Sequence, residues 1–160
     1  NLNLDARVMA RENKDASILD GFRNRMTINA SYIASETMQI QFSSIVATEE
    51  TKTNIQNNRD YTLNASINKT FKAPFNLIKD PLSAGLSFGG SFREYAGPNP
   101  TIDPDTTRND YTIRFSPSLT IPAGETMAIL LSAGFTRVDS NIPNSEYDNI
   151  SVTLGISKQF

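Results

Sequence analysis

The sequence predicts an all-β fold of eight antiparallel strands connected up and down. Three observations predict it. Apolar and polar residues alternate with a period of two in eight separate segments spread over the 160 residues, the pattern of strands that have one apolar and one polar side. Each segment runs about ten residues, nearly twice the ordinary strand. No segment sustains the 3.6-residue repeat of an amphipathic helix.

Taken in order, the first segment sets Leu2, Leu4, Ala6, Val8 and Ala10 against Asn3, Asp5, Arg7 and Arg11. In the second, Phe22, Met26, Ile28, Ala30 and Tyr32 oppose Arg23, Arg25, Thr27, Asn29 and Ser31. The third opposes Met38, Ile40, Phe42 and Val46 to Gln39, Gln41 and Ser43, and the fourth Tyr61, Leu63, Ala65, Ile67 and Phe71 to Thr62, Asn64, Ser66, Asn68 and Thr70. The fifth has Ala84, Leu86, Phe88 and Phe92 on one side and Gly85, Ser87, Gly89, Ser91 and Arg93 on the other. Tyr111, Ile113, Phe115, Pro117, Leu119 and Ile121 define the sixth, against Thr112, Arg114, Ser116, Ser118 and Thr120. Met127, Ile129, Leu131, Ala133 and Phe135 define the seventh, with Leu130 breaking its polar side. The eighth runs from Tyr147 to Phe160, with Ile150, Val152, Leu154, Ile156 and Phe160 on its apolar side and Lys158 as the exception.

Composition narrows the class. A hydrophobic content of 38% and a formal charge of −2 exclude a disordered acidic tail and a basic nucleic-acid binder. No run reaches the roughly 18 apolar residues of a membrane helix, so a membrane would be crossed by strands or not at all. The chain contains no Cys and no His. That removes disulfides, zinc clusters, thiol nucleophiles and the usual base of hydrolytic triads, and no enzyme, metal or cofactor is expected. Asn64, Asn68 and Asn149 open glycosylation sequons inside strands, where chance explains them.

Alternation alone does not say which side faces out, since a soluble lipocalin-like barrel alternates too. Three features favour apolar side out, as in an antiparallel up-and-down transmembrane β-barrel. Counted back from the C-terminus, one end of the meander carries short links at 35–36 and 122–125 and a longer one at 73–81. The other end carries long polar loops at 13–21, 49–59, 97–109 and 139–146, the asymmetry of short periplasmic turns and long outer loops. Tyr61, Tyr95, Tyr111 and Tyr147 fall at the long-loop ends and Phe71 and Phe160 at the others, which predicts a membrane-interface belt. Tyr95 and Tyr147 lie in the polar register and join it only where strand ends bulge or flare. The polar side, finally, is rich in Ser, Thr, Asn, Gly and Arg and poor in Lys, as a lumen wall is. Ten-residue strands suit a tilted crossing of a bilayer.

The closing strand, with five alternating apolar positions and a terminal Phe160, resembles that of Gram-negative outer-membrane β-barrel proteins. That resemblance implies a bacterial outer-membrane location, and Phe160 as the signal read by the barrel-assembly machinery. Lys158 stands where that family prefers an apolar residue. The segment Ser140-Asn141-Ile142-Pro143-Asn144-Ser145-Glu146-Tyr147-Asp148 and the strand after it resemble the last hairpin in C-terminal barrels of surface-lipoprotein assembly modifiers and exopolysaccharide-export porins. The implied partners are outer-membrane lipid and lipopolysaccharide, the assembly machinery and a periplasmic export partner, with no nucleic acid.

Arg7, Arg11, Arg23, Arg25, Arg93 and Arg114 would face the lumen, with Asp5, Asp110 and Glu49 as inward acids. Either they form a cationic constriction for anionic solutes, or they pair with acids and fill a narrow lumen. Arg137 points outward at the long-loop end, a candidate lipopolysaccharide contact. Residues 1–160 are read as a single β-barrel domain. The expected function is the C-terminal part of a porin or export channel, since the chain opens inside a strand. The alternatives are a complete eight-stranded barrel for adhesion or envelope integrity, and a soluble binding barrel.

Overall fold

The computed structural model describes residues 1–11, 20–73, 80–124 and 126–158. It contains eight strands: β1 (Leu2–Arg11), β2 (Gly21–Ser35), β3 (Met38–Thr51), β4 (Asn58–Phe71), β5 (Leu82–Tyr95), β6 (Asn109–Pro122), β7 (Met127–Ser140) and β8 (Tyr147–Lys158). They form one sheet in chain order, every neighbouring pair antiparallel. The eight-strand meander is therefore present. The sheet does not close: β1 and β8 are its two edges, and neither pairs with the other.

Six strands are 14 or 15 residues long, longer than the alternating segments. The extra length lies mostly at the long-loop end. There the paired row Thr48–Arg59–Glu94–Asn109 is polar on the side that is apolar lower down. Backbone pairing continues past the point where alternation stops, because the ladder needs only N–H and C=O groups. Pro117 has no N–H to give, and the β6–β7 pairing skips from Phe115↔Phe135 to Ser118↔Ser132 around it.

Directly opposed residues share a face, so the register tests whether the eight apolar sides merge. They do. Leu2–Ala30–Phe42–Ala65–Phe88–Phe115–Phe135–Ile150 is one unbroken row across all eight strands. Asn24, Ser44 and Lys69 are isolated polar residues within this face.

The edges of the apolar face do not follow the hydrogen-bonded rows. At the long-loop side the apolar run begins at Ala10 and Phe22, which are paired. Phe22 opposes Glu50, and on β3 the run begins four residues lower, at Val46. It holds that row through Tyr61, Phe92 and Tyr111. Tyr111 opposes Asp139, and the run then drops four residues again to Phe135 and its partner Ile150. The opposite edge descends in parallel, two residues at a time, through Tyr32, Met38, Phe71 and finally Met127. With about 3.3 Å per residue and about 4.8 Å between strands, both edges cross the rows at roughly 40°. The face is a slanted band, about ten residues wide from Phe22 to Tyr32, Tyr61 to Phe71 and Tyr111 to Ile121, and somewhat narrower on β3, β7 and β8.

Connections differ at the two ends. Glu36 and Thr37 form a two-residue turn between β2 and β3. Gly124, at φ +99°, supplies the left-handed residue in the turn before β7. The opposite end carries loops 52–57, 96–108 and 141–146, the last containing a 3₁₀ turn at Pro143–Ser145. Backbone bonds from Ala96 N–H to Asn57 O (2.9 Å) and from Asn141 N–H to Asn109 O (3.2 Å) tie them together. The Asn141 side chain adds bonds to Asn109 N–H and Thr107 O. The links 12–19 and 74–79, Glu125 and the terminal Phe160 lie outside the described residues, as does the side chain of Arg11.

Candidate lumen wall

The second face of the sheet is polar throughout its middle. One row runs Asn3–Asn29–Ser43–Asn64–Gly89–Arg114–Thr136–Asn149 across all eight strands. Beside it lies Ser31–Gln41–Ser66–Ser87–Ser116. Two rows toward the long loops the chemistry becomes ionic: Arg7–Arg25–Ala47–Asp60–Arg93–Asp110–Ser140.

Asp60 and Asp110 are buried and each is satisfied. Arg93 donates from Nε (3.0 Å) and Nη2 (2.7 Å) to Asp60 Oδ2, and the Thr62 hydroxyl donates to Oδ1 at 2.7 Å. Arg108, just before β6, grips Asp110 with two nitrogens, Nε to Oδ1 and Nη2 to Oδ2, each at 2.8 Å. Its guanidinium carbon also sits 5.1 Å from the centre of the Tyr95 ring, a cation–π contact. The hydrogen bonds to Asp110 raise the pKa of Arg108 above its ordinary value, with burial opposing them. Charge-assisted, forked pairs of this kind fix side chains as well as hold charge.

The six arginines assigned to this face all lie in its register, but the structure does not gather them into one site. Arg7 is forked onto Asp5 (2.9 and 3.3 Å) and Arg93 onto Asp60. Among the described residues Arg25 reaches only the Thr27 hydroxyl, at 3.3 Å, and Arg23 stands opposite Glu49. Arg114 has no side-chain partner among the described residues. Arg11 opposes Gly21 in the backbone register.

Asp60 and Arg108 were not among the residues the sequence singled out. Alternation starts the fourth strand at Tyr61 and leaves Arg108 in the 97–109 loop. Asp60-Thr62-Asn64 does continue the polar register by two residues, so the signal for Asp60 was present. Arg108 likewise lies two residues before Asp110 in the same register, where its carbonyl accepts from Tyr95 N–H at 3.1 Å and continues the β5–β6 ladder.

Of the tyrosines, Tyr61 and Tyr111 lie on the apolar face at its long-loop edge. They flank Phe92, at centroid distances of 6.5 and 4.7 Å. Tyr95 and Tyr147 do not join them. Their pairings with Asn58 and Val138 keep the polar register without a bulge, and Tyr95 is taken up by Arg108. Phe71 sits at the far edge of the apolar band, paired with Leu82. Arg137 is on the apolar side just above the band, bound to Asp139 at 2.9 Å and opposite Asp148.

No protein-family model matches the chain, and no curated protein or solved structure matches it either.

Proposed function

We propose that the chain is an arc of a β-barrel in a bacterial outer membrane, the C-terminal part of a porin or export channel, with its polar face lining the lumen. The slanted apolar band carries this reading. A flat hydrocarbon slab cuts tilted strands obliquely, so in a barrel the lipid-facing band must cross the hydrogen-bonded rows at the strand tilt. The tilt expected for such barrels is about 35–45° and the band about 25 Å tall. Ten residues span about 33 Å along a strand and about 25 Å once tilted by roughly 40°. Slope and width thus agree with one slab, although nothing ties them together in an ordinary sheet.

The unpaired edges favour a larger barrel over one closed by these eight strands. Open N–H and C=O groups have no partner in hydrocarbon, so further strands would flank β1 and β8. The tight turns then face the periplasm, the long loops face outward, and Tyr61 and Tyr111 sit at the outer interface. Lipid and lipopolysaccharide contact the band, with Arg137 at the headgroup level, while the final strand engages the assembly machinery. A periplasmic partner would deliver cargo to an export channel. No catalytic role is proposed.

The test is reconstitution of the full-length protein into planar bilayers. Stepwise conductance supports the channel. A protein that remains soluble without detergent and inserts nowhere contradicts it.

A further inference from the structure

A recess of about 600 Å³ opens on the polar face at mid-height, lined by Asn29, Ser43, Asn64, Ser87, Ser116 and Arg114 among others. We infer that it binds an anionic, polyhydroxylated small solute of the sugar-acid class, with the acid group on Arg114. This rests on the proposal that the polar face lines a lumen, and it adds the class of solute.

Arg114 is the distinguishing feature. Arg7, Arg93 and Arg108 each hold a carboxylate, whereas the exposed Arg114 guanidinium holds none among the described residues. Asp110, the acid nearest along its own strand, is already gripped by Arg108. A free guanidinium offers two parallel N–H donors that fit a carboxylate or phosphate edge. The surrounding amides and hydroxyls both donate and accept, which matches sugar hydroxyls.

The other features narrow the class further. Phe42 and Phe88 contribute to the recess from the apolar register, so their rings belong to the opposite face. Among the described residues, no aromatic face or greasy side chain is presented to stack a nucleobase or hold an acyl chain. The floor is kept low by glycine. A Cβ on Gly89, the direct neighbour of Arg114, would collide with Asn64 Oδ1. At Gly85 a Cβ would come within 2.8 Å of Asn68 Oδ1 and 2.5 Å of Ser118 Oγ. The Asn64 and Asn68 side chains thus lie across the glycines, and the wall stays low on the strand next to Arg114.

Equilibrium dialysis of the full-length protein, folded in detergent, tests the site with glucuronate, glucose and acetate as probes. Glucuronate is expected to bind about tenfold or more tightly than either glucose or acetate, since each lacks half of the recognised chemistry. Arg114→Gln should remove that advantage, and Arg114→Lys should restore only part of it because the fork is lost. Arg7→Gln, at a guanidinium already held by Asp5, should stay within about twofold. Equal binding of glucuronate and acetate, or unchanged binding in Arg114→Gln, overturns the proposal. The same samples in bilayers separate the two claims: binding without conductance would sink the channel and leave the site standing, and conductance without selective binding would do the reverse.

Discussion

The two faces of this sheet carry side chains only one residue apart, yet they are organised by different rules. On the apolar face identity hardly matters: Leu, Ile, Val, Phe and Met interchange, and only the slanted edges of the band are fixed. On the polar face position matters: Asp60–Arg93 and Asp110–Arg108 form two specific ion pairs at one end, and the middle is held low by glycine under asparagine. A surface shaped by an isotropic surrounding needs only the right polarity at the right depth. A surface shaped by its own contacts needs particular partners.

The largest expected contrast is a charge moved by one residue. Ala65→Arg places a guanidinium mid-band and should cost about 2–4 kcal/mol in lipid vesicles, whereas Ser66→Arg on the polar face should cost under about 1 kcal/mol. Denaturant titration of the folded protein in vesicles reads both, and equal costs would break the comparison. Next comes Asp60→Asn, which leaves the Arg93 fork without its anion. With Arg93 partly solvated, a loss of about 1–3 kcal/mol is expected, much of it recovered in the Asp60→Asn, Arg93→Gln double variant. Additive losses would mean that the pair is not a unit.

A smaller effect is expected at the aromatic edge. Tyr111→Ala removes the close Phe92 contact and should cost about 0.5–1.5 kcal/mol beyond its lost area. Tyr147→Ala, in the polar register and with no ring partner among the described residues, should cost less by the same measurement.

The smallest effect concerns the loop 96–108. Asp103 Oδ1 accepts hydrogen bonds from the Asp105 and Thr106 N–H groups at 3.0 and 3.1 Å. These bonds, that from Asp105 first, lower the pKa of Asp103 below its ordinary 3.8. A depressed carboxylate adds its stabilisation fully above its unfolded value, and loses it as pH falls through the folded one. The Asp105 and Thr106 amide resonances should therefore titrate together with a midpoint below 3.8. A midpoint at or above that value would show that the turn does not hold the charged form.

Faces were legible in the sequence where partners were not. Alternation assigns each side chain to a face from one strand alone, so the eight strands and the polar register of Arg93 and Arg114 could be read directly. The strand extensions around Thr48, Arg59 and Glu94 could not, because both sides are polar there and only backbone pairing marks them. The Asp60–Arg93 pair needs the β4–β5 register, and the slant of the band needs every register at once. Tyr95 shows the limit from the other direction. Its place at a strand end suited an interface belt, but its partner is Arg108, 13 residues further along the chain.

The central claim is that one flat slab sets the apolar band. Single spin labels on introduced cysteines are placed at Phe22, Tyr61 and Phe135, which mark the same band edge on three strands but lie in different rows. Labels at Met26 and Asp139 share the row of Tyr61. With the full-length protein in vesicles, relaxation by oxygen against a water-soluble nickel complex reports depth. The account predicts equal depth for Phe22, Tyr61 and Phe135, a deeper label at Met26 and a water-exposed one at Asp139. Depth that follows the rows instead, or water exposure at all five positions, would contradict it.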